Sequence, residues 1–98
     1  MDISRLETYA EEAEIVDVTF TSDTFTFVLK DKRKVEAPIW WYPRLQSATP
    51  EEREQFEIMP GGDGVHWESV DEDISLLGLF IGGPAPGAVM PIALDAAE

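Results

Sequence analysis

Residues 14–39, EIVDVTFTSDTFTFVLKDKRKVEAPI, decide the fold because their apolar and polar residues alternate in three consecutive runs. The second run places Phe25, Phe27 and Leu29 on one face, and the third follows a basic turn at residues 30–34. The first run places Ile15, Asp17 and Thr19 on one face of the strand and Val16, Val18 and Phe20 on the other. A period of two residues is that of a β-strand. The segment therefore predicts a meander of three antiparallel strands.

Short helices are predicted on both sides of this meander. Apolar residues recur at helical spacing in residues 3–14, which predicts a short amphipathic helix. In TPEEREQF, Thr49 is placed to cap a helix that begins at Pro50, with Glu52 three residues after the cap. The run DISLLGLF predicts a last helix, whose core-facing residues are expected to be Ile74, Leu77 and Ile81.

The glycine-rich segment FEIMPGGDGVHWESV predicts two further short strands, because its turn residues permit positive φ. Together these elements predict an α+β fold, a small antiparallel β-meander with short helices. We expect one domain over residues 1–83, followed by a loose C-terminal tail over residues 84–98.

The charge balance is strongly acidic. Seven Lys and Arg residues oppose twenty Asp and Glu residues in a chain of 98, so the formal net charge is −13. Direct binding to nucleic acid is not expected, because that affinity rests on neutralising phosphates with basic side chains. The basic cluster at residues 30–34 is interpreted as a solvated hairpin turn. An acidic surface instead favours attraction to a basic protein.

Composition disfavours several other classes of protein. The chain has no cysteine, which excludes disulfides and zinc–thiolate sites and fits a reducing cytoplasm. Its first residues are acidic and lack an apolar run, so a signal peptide is not expected. Residues 74–94 carry no charge, but prolines and glycines interrupt them and no basic residue flanks them. We predict a cytoplasmic protein with no membrane anchor.

The segment HWESVDEDIS holds the histidine of the chain close to four carboxylates. One interpretation is a metal site in which His66, Asp71 and Asp73 supply nitrogen and oxygen ligands. The other is the acidic start of a helix, with Ser69 and Glu72 in a capping box and the histidine hydrogen-bonded to the backbone. An acid–base pair is not indicated, because nothing suggests that either aspartate is desolvated. The structural interpretation needs no further partner and is preferred.

Tryptophans offer large aromatic contact area. Trp40 and Trp41 are adjacent, so their side chains point in different directions and both are not expected to be fully buried. We expect one of them to pack in the core and the other to anchor a partner. Core packing of both stays open as an alternative.

Residues 29–83, LKDKRKVEAPIWWYPRLQSATPEEREQFEIMPGGDGVHWESVDEDISLLGLFIGG, resemble the bacterial family called domain of unknown function 2442. Its members read Leu-x-Asp-Gly-Arg, Pro-x-x-Trp-x-Pro-Arg-Leu, Ala-Thr-Pro-Glu-Glu-Arg, Gly-x-Gly-x-His-Trp and Asp-Glu-Asp-Ile in this order. The matching positions are Pro38, Trp41, Pro43, Arg44, Leu45, Ala48, Thr49, Pro50, Arg53, Gly62, Gly64, His66, Trp67, Asp71, Glu72, Asp73 and Ile74. Two positions depart from the pattern, since Lys32 replaces a usual Gly and Glu68 replaces a usual Pro. The first departure puts the backbone conformation of the basic turn in doubt.

The resemblance implies a small α+β domain, like the N-terminal domain of bacterial proteins that also carry a helix-turn-helix module. No such module is present in this sequence, so direct DNA binding gains no support from the resemblance. Family genes often lie beside another small gene in what look like toxin–antitoxin modules, which implies an antitoxin-like role. The resemblance implies no catalytic activity, and no cofactor is expected.

The leading hypothesis is a non-enzymatic interaction domain that binds a small basic protein, such as the product of an adjacent gene. The residues expected to form its acidic and aromatic contact surface are Trp40, Trp41, Arg44, His66, Trp67, Asp71, Glu72 and Asp73. The alternative is a metal-binding or hydrolytic domain centred on His66, Asp71 and Asp73. A third interpretation is that Arg44 pairs with the acidic turn and Trp67 fills the core, so that these residues only hold the fold. Self-association into a homo-oligomer is left open.

Overall fold

The structure is a computed structural model that describes residues 4–91. Within this range the chain forms two three-stranded antiparallel sheets, which confirms the predicted α+β class. The strands are β1 (Ile15–Phe20), β2 (Thr24–Leu29), β3 (Lys34–Pro38), β4 (Glu57–Ile58), β5 (Gly64–Trp67) and β6 (Glu72–Ser75). The α-helices are α1 (Ser4–Glu12), α2 (Pro43–Gln46), α3 (Pro50–Glu54) and α4 (Leu76–Ile81), and short 3₁₀ helices span Ile39–Trp41 and Glu68–Val70. No helix in the described part of the chain is long and apolar enough to cross a membrane.

The first sheet, in the order β1-β2-β3, is the predicted meander. Phe25, Phe27 and Leu29 of β2 are each no more than 1% exposed, as the alternation predicted. The turn before β3 is tight, and Lys32 has a φ of +78°, a left-handed conformation that favours glycine. The lysine at this position therefore adopts a backbone conformation to which the usual glycine of the family is better suited.

The predicted alternation of the two faces of β1 is wrong at the start of the strand. The pairing register shifts between Ile15, which lies opposite Leu29, and Asp17, which lies opposite Val28. Such a bulge inserts one extra residue and turns the side chains before it to the other face. Ile15 and Val18 are consequently both buried, while Val16 is 48% exposed.

The two sheets meet where the glycine-rich turn touches β1. The Ile15 N–H donates to the Gly62 carbonyl at 2.7 Å. Gly62 has a φ of +71°, and a Cβ atom there would lie 3.0 Å from the Ile15 nitrogen. This close approach and the positive φ both require glycine. The predicted pair of strands around the turn is confirmed as β4 and β5.

The predicted helix start at Asp71, Glu72 and Asp73 is wrong. Residues 72–75 form strand β6, in which Ile74 lies opposite Val65 of β5. Helix α4 begins later, and the Ser75 hydroxyl caps it by accepting a hydrogen bond from the Gly78 N–H at 2.9 Å. Strand pairing at Ile74 uses backbone groups that a helix beginning at residue 72 would need for itself.

The inward face of α4 also differs from the prediction. The later start rotates the face, so that Leu76 and Leu79 are the buried residues of this helix. Leu77 is half-buried, and Ile81 is 47% exposed. Ile74 faces the core as predicted, but it does so from a strand.

The helix start at Thr49 is confirmed with its full mechanism. The Thr49 hydroxyl accepts from the Glu52 N–H at 3.1 Å, and the Glu52 carboxylate accepts from the Thr49 N–H at 2.9 Å. Arg53 in the same helix donates to the carbonyls of Leu45 and Gln46, which end α2. Helices α2 and α3 are thereby fixed to each other by side-chain to backbone hydrogen bonds.

The two ends of the chain were predicted as a helix at residues 3–14 and a loose tail at residues 84–98. The first prediction corresponds to α1, although Ile3 lies outside the described residues. In the tail, the Ala85 N–H donates to the Trp41 carbonyl at 2.8 Å, and residues 89–91 are exposed. Residues 92–98 lie outside the described range, so the prediction for them stays a prediction.

The bulge in β1 can be tested with two matched truncations. Val18→Ala is expected to lower the free energy of unfolding by about 2 kcal/mol, because it removes two buried methyl groups and leaves a cavity. Val16→Ala is expected to change it by less than about 0.5 kcal/mol, because the side chain is already exposed. Urea denaturation monitored by tryptophan fluorescence measures both. Equal losses would contradict the register shift.

The position of the last helix can be tested at two serines. Ser75→Ala is expected to cost about 1 kcal/mol of stability, because it removes the hydroxyl that caps α4. Ser69→Ala removes the cap of the helix that the sequence predicted and is expected to cost less than about 0.5 kcal/mol. Thermal or urea unfolding measures the stability of both variants. A larger loss of stability in Ser69→Ala would support the helix start that the sequence predicted.

Candidate functional site

The outward side of the second sheet carries a row of ionisable residues. Glu57 lies opposite His66, and His66 lies opposite Asp73, so one residue from each strand contributes to the row. The neighbouring residues Val65 and Trp67 are buried, which places the row on the face away from the core. We call the set Glu57, His66, Glu68 and Asp73 the acidic face.

His66 is held between two carboxylates. Its Nδ1 lies 2.6 Å from Asp73 Oδ1, and its Nε2 lies 2.8 Å from Glu68 Oε1. An ionised carboxylate can only accept a hydrogen bond, so both ring nitrogens must carry a proton for both bonds to form. The arrangement therefore fits the imidazolium form. The predicted hydrogen bond from the histidine to the backbone is replaced by these side-chain partners.

The surroundings of His66 raise the pKa of its imidazole above the ordinary value. The hydrogen bond with Glu68 is the larger cause, the hydrogen bond with Asp73 is the next, and desolvation opposes both. The side chain is 20% exposed, whereas the carboxylates of Glu68 and Asp73 are mostly exposed. The histidine is thus the anchored member of the group, and it is the cation that binds its two neighbours.

Sheet geometry explains why His66 and Asp73 come so close. The Leu76 N–H donates to the Asp63 carbonyl at 2.9 Å, which marks one hydrogen-bonded pair between β5 and β6. Such pairs alternate along antiparallel strands, so His66 and Asp73 occupy the intervening pair without mutual backbone bonds. Side chains of that kind of pair lie closest together.

Asp71 is directed away from this cluster and toward Arg44. It has a φ of +54°, and its carbonyl accepts a hydrogen bond from Arg44 Nη1 at 2.6 Å. The same nitrogen lies 3.6 Å from Asp71 Oδ2. The pairing of Arg44 with the acidic turn, one of the sequence interpretations, is confirmed.

The predicted metal ligands are therefore not assembled. His66 and Asp73 are in contact, but Asp71 is engaged by the guanidinium of Arg44. Within residues 4–91, no group of three or more His, Cys, Asp or Glu side chains is arranged to hold a metal ion.

Glu72 points to the other side of β6, opposite Trp67, and is half-buried. Burial raises the pKa of its carboxyl, although the Asp73 N–H and Arg44 act in the opposite direction. Burial, and next the charge of Glu72, raise the pKa of the Tyr42 hydroxyl. A pocket of about 340 Å³ lies beside Glu72 and is lined by Pro43, Arg44, Glu72, Ala85, Pro86 and Gly87.

The tryptophans divide into one core residue and two half-buried ones. Trp67 is fully buried and its indole N–H donates to the Arg53 carbonyl at 3.0 Å, so it cannot contact a partner as predicted. Trp40 and Trp41 are both half-buried, with ring centroids 6.4 Å apart at 77°. Trp41 packs against the core. Both rings keep part of their area on the surface.

Two members of the acidic face were not among the predicted site residues. Glu57 reaches the row only through the register of β4 on β5, which the sequence does not specify for a strand of two residues. Glu68 was noted only as a departure from the family pattern. Its spacing of two residues from His66 was the available signal, since alternate residues of a strand share a face.

The histidine makes the stability of the protein depend on pH. A raised folded-state pKa means that the folded state binds the proton more tightly, so the stabilisation is complete below about pH 6.5, the ordinary value. It is lost as pH rises through the folded pKa. We expect the stability advantage of the native protein over His66→Asn to shrink across that interval, as measured by urea denaturation at successive pH values.

The same pKa can be read directly from the histidine proton resonances by NMR. Asp73→Asn is the control, because it removes one carboxylate partner and is expected to lower the His66 pKa toward its ordinary value. A native His66 pKa at or below the ordinary value would contradict the two-carboxylate arrangement.

The chain is similar to two solved bacterial structures. One is the crystal structure of a protein of unknown function from Rhodospirillum rubrum, with 27% identity, a TM-score of 0.65, and coverage of 81% of this chain and 98% of that one. The other is the solution NMR structure of an uncharacterized protein from Chromobacterium violaceum, with 31% identity, a TM-score of 0.66, and coverage of 86% of this chain and 80% of that one. No protein of curated function matches the chain.

The family comparison agrees with the motifs found in the sequence. The family described as protein of unknown function (DUF2442) matches residues 15–85, a range that contains both sheets and all eight predicted site residues. The chain therefore belongs to the DUF2442 family.

Proposed function

We propose that the protein is a non-enzymatic interaction domain that binds a small basic protein through the acidic face, with Trp40 and Trp41 as aromatic anchors. The observation that carries the proposal is the composition of the acidic face, in which two carboxylates are hydrogen-bonded to one histidine and a third, that of Glu57, belongs to the residue opposite it in the sheet. Carboxylates fixed in this way present a defined negative surface that a basic partner can match.

Several basic residues of the chain are engaged elsewhere, so they do not neutralise this surface. Lys30 and Arg33 lie in the hairpin turn of the first sheet, where they pair with Glu14 and Asp31. Arg53 donates to backbone carbonyls that end α2. Among the described residues, no Lys or Arg forms an ion pair with Glu57, Glu68 or Asp73. The negative potential of the acidic face is therefore available to a partner.

An aromatic contact area is linked to the side of β6 that lies opposite the acidic face. The Trp41 carbonyl binds Ala85, and Ala85 lines the pocket that also contains Arg44 and Glu72. Half-buried tryptophans next to charged groups are suited to anchor a partner, because they supply large apolar area with few rotatable bonds. Of the predicted contact residues, the proposal keeps Trp40 and Trp41 as anchors and omits Trp67.

The antitoxin-like role is the finer form of this proposal. It rests on the family resemblance and on the charge of −13, which suits a basic partner such as the product of an adjacent gene. The cytoplasmic location belongs to the proposal as well and rests on the absence of cysteine.

The proposal is tested by co-expression with the product of the adjacent gene, affinity purification and native mass determination. We expect a complex that dissociates at about 1 M salt, where the Debye length is about 3 Å. Glu68→Gln combined with Asp73→Asn is expected to weaken it roughly tenfold, because two exposed charges of the acidic face are removed.

The matched control removes two charges from other elements, by Glu12→Gln in α1 combined with Glu36→Gln in β3. Both residues are exposed, and this variant is expected to bind the partner as the native protein does. Equal weakening of partner binding by the two variants would mean that only net charge matters, and it would count against a defined surface. Absence of any complex would remove the support for the antitoxin-like role.

A further inference from the structure

Strand β6 forms an open edge of the second sheet. The strand order is β4-β5-β6, so β6 pairs on one side only. Its residues Asp73 and Ser75 are exposed, while Ile74 between them is buried. An edge strand of this kind presents unpaired backbone groups, which form a template for another strand.

The backbone groups that point outward can be identified from the pairing. Leu76 and Asp63 form a hydrogen-bonded pair, so Ile74 and Glu72 also direct their backbone groups toward β5. The intervening residues Asp73 and Ser75 direct theirs away from the sheet. Apart from the pairing with β5, no backbone hydrogen bond within residues 4–91 involves the Ser75 N–H or the Asp73 carbonyl.

Two contacts at this edge show that its groups accept and donate hydrogen bonds. The Asp71 carbonyl, two residues before that of Asp73, accepts a hydrogen bond from Arg44 Nη1 at 2.6 Å. The Asp73 N–H donates to Glu72 Oε2 at 3.2 Å, a long bond that an incoming carbonyl can replace. The edge is thus partly occupied by side chains and open at Asp73 and Ser75.

The edge of the first sheet that β3 forms is protected in a way that β6 is not. Strand β3 carries Lys34 and ends at Pro38, and both residue types prevent strand addition at an edge. Strand β6 has neither a lysine nor a proline. The charge of β6 also selects among partners, because Asp73 attracts basic strands and repels acidic ones.

We propose that the edge of β6 receives a short, extended, basic segment of the partner protein as an added strand, hydrogen-bonded at Asp73 and Ser75. This inference rests on the proposed function and specifies how the partner is held. Backbone hydrogen bonds supply affinity in this mode of recognition, and alternate side chains supply specificity. Basic side chains on the outward side of the added strand lie next to the acidic face.

A second copy of the chain is the less suitable occupant. Each copy has a net charge of −13, and pairing two β6 edges would bring two sets of aspartates together. Like charges opposite each other destabilise strand pairing.

The experiment uses the full chain and two synthetic peptides, one alternating lysine with valine and the other alternating glutamate with valine. Binding is followed by tryptophan fluorescence, and amide hydrogen exchange is followed by NMR. We expect the lysine peptide to bind and to slow exchange at Asp73 and Ser75 by about tenfold or more. The Glu36 amide, which points outward from β3, is the internal control and is expected to keep its rate.

Two variants separate the edge from the carboxylate. Asp73→Asn removes the charge but keeps the N–H, so weaker binding with continued protection of Ser75 is expected. Asp73→Pro removes the charge and the outward N–H without breaking a bond to β5, and loss of protection at Ser75 is expected. If the proline variant fails to fold, exchange in the native protein still decides the question.

The possible outcomes distinguish this inference from the proposed function. Binding of the lysine peptide without protection of Asp73 and Ser75 overturns strand addition and leaves the interaction domain standing. Binding of neither peptide overturns strand addition, and the co-expression experiment then decides the proposed function. Equal binding of the two peptides overturns both. Concentration-dependent protection of these amides without peptide assigns the edge to a second copy and overturns the proposal.

Discussion

The buried indole of Trp67 is the contact on which both sheets and the central helices depend. It belongs to β5, packs edge-on against Phe20 of the first sheet at 6.3 Å, and lies 6.4 Å from Phe56. Its N–H donates to the Arg53 carbonyl, so a polar group that burial would otherwise leave unpaired is satisfied. Arg53 in turn holds the end of α2 through its guanidinium. One side chain thereby links the sheets to the helices between them.

The residues that match the DUF2442 motifs have structural roles in most cases. Thr49 caps a helix, Gly62 joins the sheets, Arg44 binds the acidic turn, and Trp67 fills the core. A family resemblance carried by such residues identifies an architecture, because each satisfies a backbone or packing requirement of the fold. It does not identify a reaction, and the functional argument has to rest on the exposed residues of the second sheet.

The sequence predicted elements well where one local rule acted without competition. The alternation in β2 and the capping box at Thr49 each follow from near neighbours, and both are confirmed. The start of β1 and residues 71–75 were predicted wrongly because long-range pairing decided them. Pairing with β5 draws the acidic residues into a strand, although their composition also suits a helix start. The row formed by Glu57, His66 and Asp73 depends on that same pairing, so the acidic face could not be read from spacing alone.

The engagement of His66 bears on the choice between binding and catalysis. A general acid or base needs a ring nitrogen free to exchange a proton with substrate, but both nitrogens of His66 are taken by carboxylates. The same bonds fix the orientation of Glu68 and Asp73, whose outer oxygens stay exposed. Fixing exposed charges reduces the entropy that they lose on binding, which favours recognition of a charged partner. These fixed and exposed carboxylates are the physical basis of the interaction surface that we propose.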